Sequence, residues 1–270
     1  MQGKAWLWLG ALVVLLSGCS AMERLTLIRP SAKVRGYTQV APSYDVSGKK
    51  GTHGQDPKML LISASDLYQS GDLQQAETLA HSALKMQPGS ADANTLLGLI
   101  AQARGDQRQA GAFLKKAVDT SPQTGAYATN YGNWLCTNGR AAESLEWFNW
   151  ALLDVNYASP IVPLVNAGNC ASQTGQSAQA EAYWRKALDL QPKQLAALAG
   201  MAQLMVGQKN YFEARAFAER WLAETPTDVT GLQLAAEIEQ KLGDNVSASR
   251  YLSRIRTLSS GSATVQPTPQ

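Results

Sequence analysis

A spacing of 34 residues recurs along the middle of this 270-residue chain, and it restricts the possible folds more than any other feature. The residues that share this spacing are small ones or prolines: Gly71, Gly105 and Gly139; Gly98 and Gly132; Ala76 and Ala110; Ala83, Ala117 and Ala151; Pro88 and Pro122. Two extra residues near Tyr157 and Ala158 interrupt the frame, which resumes at Gly168, Gly175 and Pro192. Such a fixed period predicts a stack of similar units, because one unit alone cannot bury its apolar face.

The residue types within one period predict a pair of helices. Apolar residues at helical spacing, such as Leu96, Leu97 and Ile100, indicate helices. A small residue at the eighth position lets two helices cross closely, and a glycine near the fifteenth permits a tight turn. A proline near the thirty-second position ends the second helix. This pattern resembles the tetratricopeptide repeat (TPR), so we expect an all-α fold, a right-handed superhelix (α-solenoid) of six helix-turn-helix units.

The repeat frame also predicts the bounds and the packing of the units. The six units are expected at residues 57–90, 91–124, 125–160, 161–194, 195–228 and 229–258. The sixth, with Arg250, Arg254 and Arg256, is expected to act as a polar cap. Large side chains on the second helices are expected to pack and not to contact a ligand: Trp147, Phe148, Trp150, Trp184, Phe217, Trp221 and Tyr251.

The N-terminus has the pattern of a secretory signal. Lys4 precedes a run from Ala5 to Leu16 without charge, which is shorter than the roughly 20 apolar residues that a transmembrane helix needs. The run ends in Leu16-Ser17-Gly18-Cys19, which resembles a lipobox. We therefore expect cleavage after residue 18 and lipid on Cys19, which would anchor the chain durably. The alternative is an ordinary signal peptide with a chance cysteine.

Two further segments show no repeat. Residues 19–56 contain scattered prolines and glycines and no sustained period, so we expect a flexible tether. Residues 259–270 are rich in Ser, Thr and Pro, so we expect a disordered tail. Bacterial lipoproteins with Asp after the lipidated cysteine typically stay at the inner membrane. By that resemblance Ser20 implies the periplasmic face of the outer membrane.

Two cysteines lie on neighbouring first helices. Cys136 and Cys170 fall on the first helices of the third and fourth units. In an oxidising periplasm a disulfide between them is plausible, and two buried free thiols are the alternative. No metal site is predicted, because His53 and His81 are the only histidines and no cysteine pair has ligand spacing.

Each of these two helices carries an asparagine-glycine motif that ends in its cysteine: Asn130-Tyr131-Gly132-Asn133-Trp134-Leu135-Cys136 and Asn166-Ala167-Gly168-Asn169-Cys170. In these motifs the chain resembles the type IV pilus biogenesis and stability lipoproteins, the PilF/PilW pilotins. The resemblance implies six TPR units after a lipobox and a bridge between the two cysteines. It also implies an outer-membrane pilotin that binds secretin subunits of the type IV pilus and promotes their localisation and assembly into multimers.

A partner-binding groove is predicted on the first helices. Its apolar end is expected to be formed by Leu61, Ile62, Tyr68, Leu96 and Leu99, and its polar end by Asn130, Asn133, Asn166 and Asn169. Each asparagine pair is spaced i, i+3, and Asn can both donate to and accept from a peptide backbone. The alternatives are that the apolar strip packs against an adjacent helix or the tether, and that the asparagines bond within the stack.

Catalysis and several other functions are not expected. The chain shows no nucleophile–base set and no phosphate-binding glycine loop. A net charge of +3 gives no dense basic stripe for nucleic acid. We expect no enzyme activity, cofactor or small-molecule substrate. Alternatives to the pilotin function are a scaffold that recruits cell-wall enzymes and a subunit of the outer-membrane barrel-assembly machinery.

Overall fold

The computed structural model describes residues 56–262, and this part of the chain contains twelve α-helices and no strand. The helices are α1 (Pro57–Ser70), α2 (Leu73–Met86), α3 (Ala91–Ala103), α4 (Gln107–Thr120), α5 (Gly125–Thr137), α6 (Ala141–Leu153), α7 (Ile161–Gln173), α8 (Ser177–Leu190), α9 (Leu195–Gly207), α10 (Tyr211–Glu224), α11 (Val229–Leu242) and α12 (Asn245–Ser262). Each predicted unit contains one first helix, with an odd number, and one second helix, with an even number.

The helices stack as a curved solenoid. Every helix contacts the next one along the chain, and each first helix also contacts the first helix of the following unit. No two second helices are in contact within residues 56–262. Because only the first helices approach one another, they lie on the inside of the curve. The predicted all-α TPR superhelix is confirmed.

The turns inside the units use a left-handed residue at one position. Gly71 and Gly105 have φ of 89° and 85°, a region that a side chain makes costly. In the fifth unit Lys209 takes this place, with φ of 60°. The next residue often starts the second helix as its cap, as where Asp72 accepts a hydrogen bond from the Gln75 N–H at 3.0 Å. Turn and cap together fix the crossing of the two helices.

The two-residue insertion between the third and fourth units forms a packed loop. A carboxylate oxygen of Asp154 accepts a hydrogen bond from the Gly125 N–H at 2.8 Å, which attaches the loop to the start of α5. Tyr157 packs against the same glycine, where an added Cβ would lie 2.9 Å from its ring. The insertion therefore fills space beside α5 without changing the stack.

The last helix corrects the predicted C-terminal boundary. α12 continues to Ser262, four residues beyond the predicted end of the unit at 258. Leu258 still packs against the core, and the hydroxyls of Ser259 and Ser260 donate to the carbonyls of Ile255 and Thr257. These bonds keep the serines in the helix. Only the rest of the predicted tail, residues 263–270, lies outside the described residues.

Most of the large side chains on the second helices pack as predicted. Phe148, Trp184 and Trp221 are buried. Trp150 is an exception, since 53% of it is exposed, as is 69% of Leu153 on the same helix. The prediction of a packing role was wrong for Trp150. Within residues 56–262, helix α6 packs only against the first helices α5 and α7, and neither covers this side chain.

Trp184 connects the fourth and fifth units and leads to a prediction. Its indole lies between two glycines, and a Cβ on either Gly168 or Gly200 would fall 2.5 Å from it. We expect Gly200→Ala to lower the free energy of unfolding by about 1–3 kcal/mol, because a buried tryptophan held from both sides cannot move away. Gly207→Ala is the matched control on the same helix, since nothing lies within 4 Å of its Cβ position. Equal urea midpoints for the two variants would contradict this packing.

Candidate functional site: the inner wall

The inside of the curve presents one face of each first helix. In units two to six the seventh residue points into the core, as Leu97 and Met201 do with exposures of 2% and 0%. Residues two positions away lie on the opposite side of an α-helix. We define the inner wall as the fifth and ninth residues of the six first helices: Leu61, Ser65, Thr95, Leu99, Thr129, Asn133, Val165, Asn169, Ala199, Gln203, Gln233 and Glu237.

The two halves of the inner wall differ in exposure. In the first three units all its residues are buried, and Thr95, Leu99 and Asn133 are only 1–2% exposed. In the fifth and sixth units Ala199 is half-buried and Gln203 is exposed, as are the two residues of the sixth unit. The open half is therefore the part of the wall that a partner can reach directly.

Some polar side-chain atoms of the wall have a hydrogen-bond partner and others have none. The Thr129 hydroxyl donates to the Gly125 carbonyl at 2.8 Å, and the Asn169 carboxamide oxygen accepts from the Trp184 indole N–H at 3.2 Å. The hydroxyl oxygen of Thr95 and the carboxamide oxygen of Asn133 are buried without a hydrogen-bond partner among residues 56–262. A buried oxygen of this kind costs free energy until a donor reaches it.

A charged contact lies at the start of the first helices, beside the wall. The Tyr127 hydroxyl donates to Asp92 at 2.6 Å and so links α5 to α3. Burial raises the pKa of Asp92, against the opposing effects of this hydrogen bond and of Lys58. Burial, and then the bond to Asp92, raises the pKa of Tyr127. The contact fixes two first helices relative to each other.

A disulfide joins two first helices at the middle of the stack. Cys136 of α5 and Cys170 of α7 are bonded, with their Cα atoms 5.9 Å apart. Both are buried, at 3% and 0% exposure. The structure thus contains the bridge that the resemblance implied, and the alternative of two free thiols does not apply. The bond lies where the buried half of the wall ends.

The members of the apolar end of the predicted groove differ in burial. Leu61, Leu96 and Leu99 are 0–2% exposed, and the groove itself stays a prediction. Leu96 belongs to the core cluster that contains α1 to α3. Ile62 and Tyr68 are half-buried. Sequence reasoning treated all apolar first-helix residues as one strip and did not separate the face toward the core.

The asparagines of the predicted groove are also mostly buried. Asn130 and Asn133 are each 2% exposed, and Asn166 is fully buried, whereas Asn169 is half-buried. Asn130, Asn166 and Asn169 are each engaged in an interaction, Asn169 with Trp184 among others. Three of the four asparagines are thus engaged, and the polar end of the groove stays a prediction.

The structure reveals an open surface that sequence reasoning missed. On α9, Ala196, Ala199 and Val206 are half-buried and Gln203 is exposed. α9 has Gln203 as its only polar residue, and a helix that is apolar on all sides is normally buried on all sides. This composition was the available signal. An apolar helix with an accessible inner face has room for a further contact.

Other kinds of site are not found in the described part of the chain. Residues 56–262 contain no group of three or more His, Cys, Asp or Glu side chains placed to hold a metal ion. No helix of this part has both the length and the apolar character required to cross a bilayer. The lipobox with Cys19 and the tether at 19–56 fall before these residues, except for Asp56, and remain predictions.

Comparison with known proteins agrees with the repeat architecture. Tetratricopeptide-repeat family models match residues 63–124 and 171–238. The type IV pilus assembly protein PilF of Pseudomonas aeruginosa is 26% identical over 239 residues, which cover 86% of this chain and 92% of PilF. The chain is a TPR protein homologous to PilF. The similarity to this type IV pilus assembly protein thus extends over nearly the whole length of both proteins.

Solved structures of the same group superimpose on this homologue of PilF. The crystal structure of PilW, described as a widely conserved type IV pilus biogenesis factor, matches with a TM-score of 0.70 and 25% identity. That match covers 74% of this chain and 92% of PilW. The structure of P. aeruginosa PilF matches with a TM-score of 0.71 and 23% identity, over 77% of this chain and 94% of PilF. The resemblance to PilF and PilW is confirmed, and this chain shares its TPR fold with both proteins.

Proposed function

We propose that this chain is an outer-membrane lipoprotein, a pilotin, that binds secretin subunits and promotes their localisation and assembly into multimers for type IV pilus biogenesis. The observation that carries the proposal is the similarity to PilF over nearly the full length of both chains. The inner wall supports binding as the mode of action, because it offers a curved surface and no catalytic group. The protein would act without turnover.

Membrane attachment would come from the lipid on Cys19. No described helix can cross a membrane, so attachment through the N-terminus is consistent with the fold. Acyl chains contribute about 0.8 kcal/mol per buried CH₂, and several chains on one cysteine give durable anchoring. The stack would then be held at the periplasmic face of the outer membrane. A secretin subunit bound to the stack would be carried to the same membrane.

Deletion of the gene tests the function in cells. We expect detergent-resistant secretin multimers to disappear from the outer membrane and monomers to accumulate, as seen by immunoblot of membrane fractions. A Cys19→Ser chain should restore binding but not outer-membrane multimers, because it folds without an anchor. Normal multimer levels in the deletion strain would contradict the proposal.

The open half of the inner wall provides a second prediction. We expect Ala199→Arg to weaken binding of the purified periplasmic part of the secretin by tenfold or more. A long charged side chain would occupy the apolar surface of α9, and its desolvation would oppose contact. Ala199 is half-buried and packs at the edge of the core cluster, so the variant must keep the helical content of the parent chain before a loss of affinity is assigned to the wall. Affinity is measured by biolayer interferometry, and folding by circular dichroism.

Ala182→Arg is the matched control for this substitution. Ala182 is exposed on the second helix α8, on the outer side of the stack. The substitution Ala182→Arg adds the same side chain and the same charge on a second helix, away from the inner wall. Equal affinities of the two variants would place secretin binding elsewhere on the molecule.

A further inference from the structure

Charged residues are distributed unequally between the first and second helices in the middle of the stack. The first helices of units three to five, α5, α7 and α9, contain no charged residue. The second helices of the same units, α6, α8 and α10, contain two, four and five. The two sets of helices are nearly equal in length, so helix length does not explain the difference. The helices that form the inner wall of these units therefore contribute no charge to it.

Helix α9 presents the most accessible part of this uncharged wall. Ala196, Ala199, Gln203 and Val206 are spaced i, i+3, i+7 and i+10, so they form one stripe along the helix. The three apolar residues are half-buried, and Gln203 is exposed. An alanine side chain is a single methyl group, which lets another chain approach the helix closely. The carboxamide of Gln203 can donate to and accept from such a chain.

The ninth residues of the first helices form a line across the wall. Asn133, Asn169 and Gln203 place a neutral amide at this position in three consecutive units, and the line ends at the carboxylate of Glu237. Neighbouring helices pack about 8–10 Å apart, so the line from Asn169 to Glu237 is about 20 Å long. An extended peptide advances about 3.3–3.6 Å per residue and covers this line with about six residues.

We infer that the inner wall of units four to six binds an extended segment of a partner protein with about six consecutive uncharged residues. A charged side chain on the segment would lose its water against alanine and valine, and α7 and α9 offer no opposite charge in return. An uncharged segment avoids this cost, and its backbone groups can bond to the amide side chains. The inference rests on the proposed function only for the source of the segment, a secretin subunit.

Selection from a phage-displayed library of random dodecapeptides tests the inference without any secretin. The immobilised protein is the mature chain with Cys19→Ser. We expect Asp, Glu, Lys and Arg to fall at least fivefold below their frequency in the unselected library. The affinity of a selected peptide should change by less than about twofold between low and high salt, because ion pairs do not contribute. Charged residues kept at their input frequency, or no enrichment of any peptide, would overturn the inference.

Substitutions of opposite charge at Gln203 test whether the selected peptide lies on the wall. Gln203 is exposed, so Gln203→Glu and Gln203→Lys should both keep the fold. Each should weaken the peptide at least tenfold, because either charge would be covered by an uncharged segment. Gln203→Asn keeps an amide and should bind within about threefold of the parent chain. Unchanged affinity in both charged variants, or a gain in either one, would contradict binding of an uncharged segment at this wall.

Gln179 supplies the matched controls. It is the same residue type, exposed on the second helix α8. Gln179→Glu and Gln179→Lys should bind the selected peptide as the parent chain does. Losses at Gln179 equal to those at Gln203 would show that the effect is not specific to the wall, and the inference would fail.

The purified periplasmic part of the secretin separates this inference from the proposed function. Its binding is measured on the same parent chain. If uncharged peptides bind and the secretin does not, the proposed function fails and the inference stands, with another protein as the source of the segment. If the secretin binds and the selected peptides are charged, the inference fails and the proposed function stands.

Discussion

Leu96→Asp is expected to unfold the first two units rather than to weaken binding alone. Leu96 is fully buried in the cluster that joins α1, α2 and α3. Removing a buried leucine costs about 2–5 kcal/mol, and an unpaired carboxylate in its place adds several more. Because stability in a solenoid depends on neighbouring units, loss of this contact should release the first two units together. Circular dichroism and limited proteolysis should show a lost helical fraction and cleavage within residues 57–124.

The same substitution at an exposed leucine is the control. Leu153→Asp changes a residue that is 69% exposed at the end of α6, so its effect should stay within about 0.5 kcal/mol. If Leu96→Asp kept the melting curve of the parent chain, the core assignment of the first helices would be wrong. Leu96 would then have to lie on an accessible groove, as the residue pattern alone predicted.

Loss of the disulfide should have the next largest effect. The bridge closes a loop between residues 34 apart in sequence, and the chain-entropy relation gives about 3–4 kcal/mol for a loop of this length. We expect the double variant Cys136→Ala, Cys170→Ala to lose about this much free energy of unfolding in urea. Alanine avoids placing a new hydroxyl at two buried positions.

A reductant distinguishes the stability contributed by the disulfide bond from the effect of changing the two side chains. Dithiothreitol should lower the urea midpoint of the parent chain toward that of the double variant, and it should leave the double variant unchanged. Equal midpoints for oxidised and reduced parent chain would show that the bond adds no stability. The measurement needs only circular dichroism at the two redox conditions.

The repeat was predictable because its signals are local. A small residue is required wherever two helices cross closely, and Gly98 shows why, since a Cβ there would lie 2.6 Å from Leu114. Gly71 and Gly105 are required by positive φ. Such requirements recur in every unit and survive as a period in the sequence. The fold and the cysteine pair could therefore be found before any coordinates.

The candidate site was less predictable because exposure is not local. Leu96 and Leu99 lie three residues apart on one helix and are equally buried, yet only Leu96 belongs to the core cluster of α1 to α3. Whether the wall is open depends on what lies over it, which no 34-residue pattern encodes. The open surface on α9 was missed because Ala196, Ala199 and Val206 read as ordinary packing residues.

The position of the disulfide has a mechanical consequence. In a helical stack whose units contact only their neighbours, the interfaces between units separate one after another when the ends are pulled apart. The covalent link between α5 and α7 keeps the third and fourth units joined even when the packing contacts between them are lost. A stack held at one end and pulled at the other would therefore open in its outer units first, while its centre kept its shape.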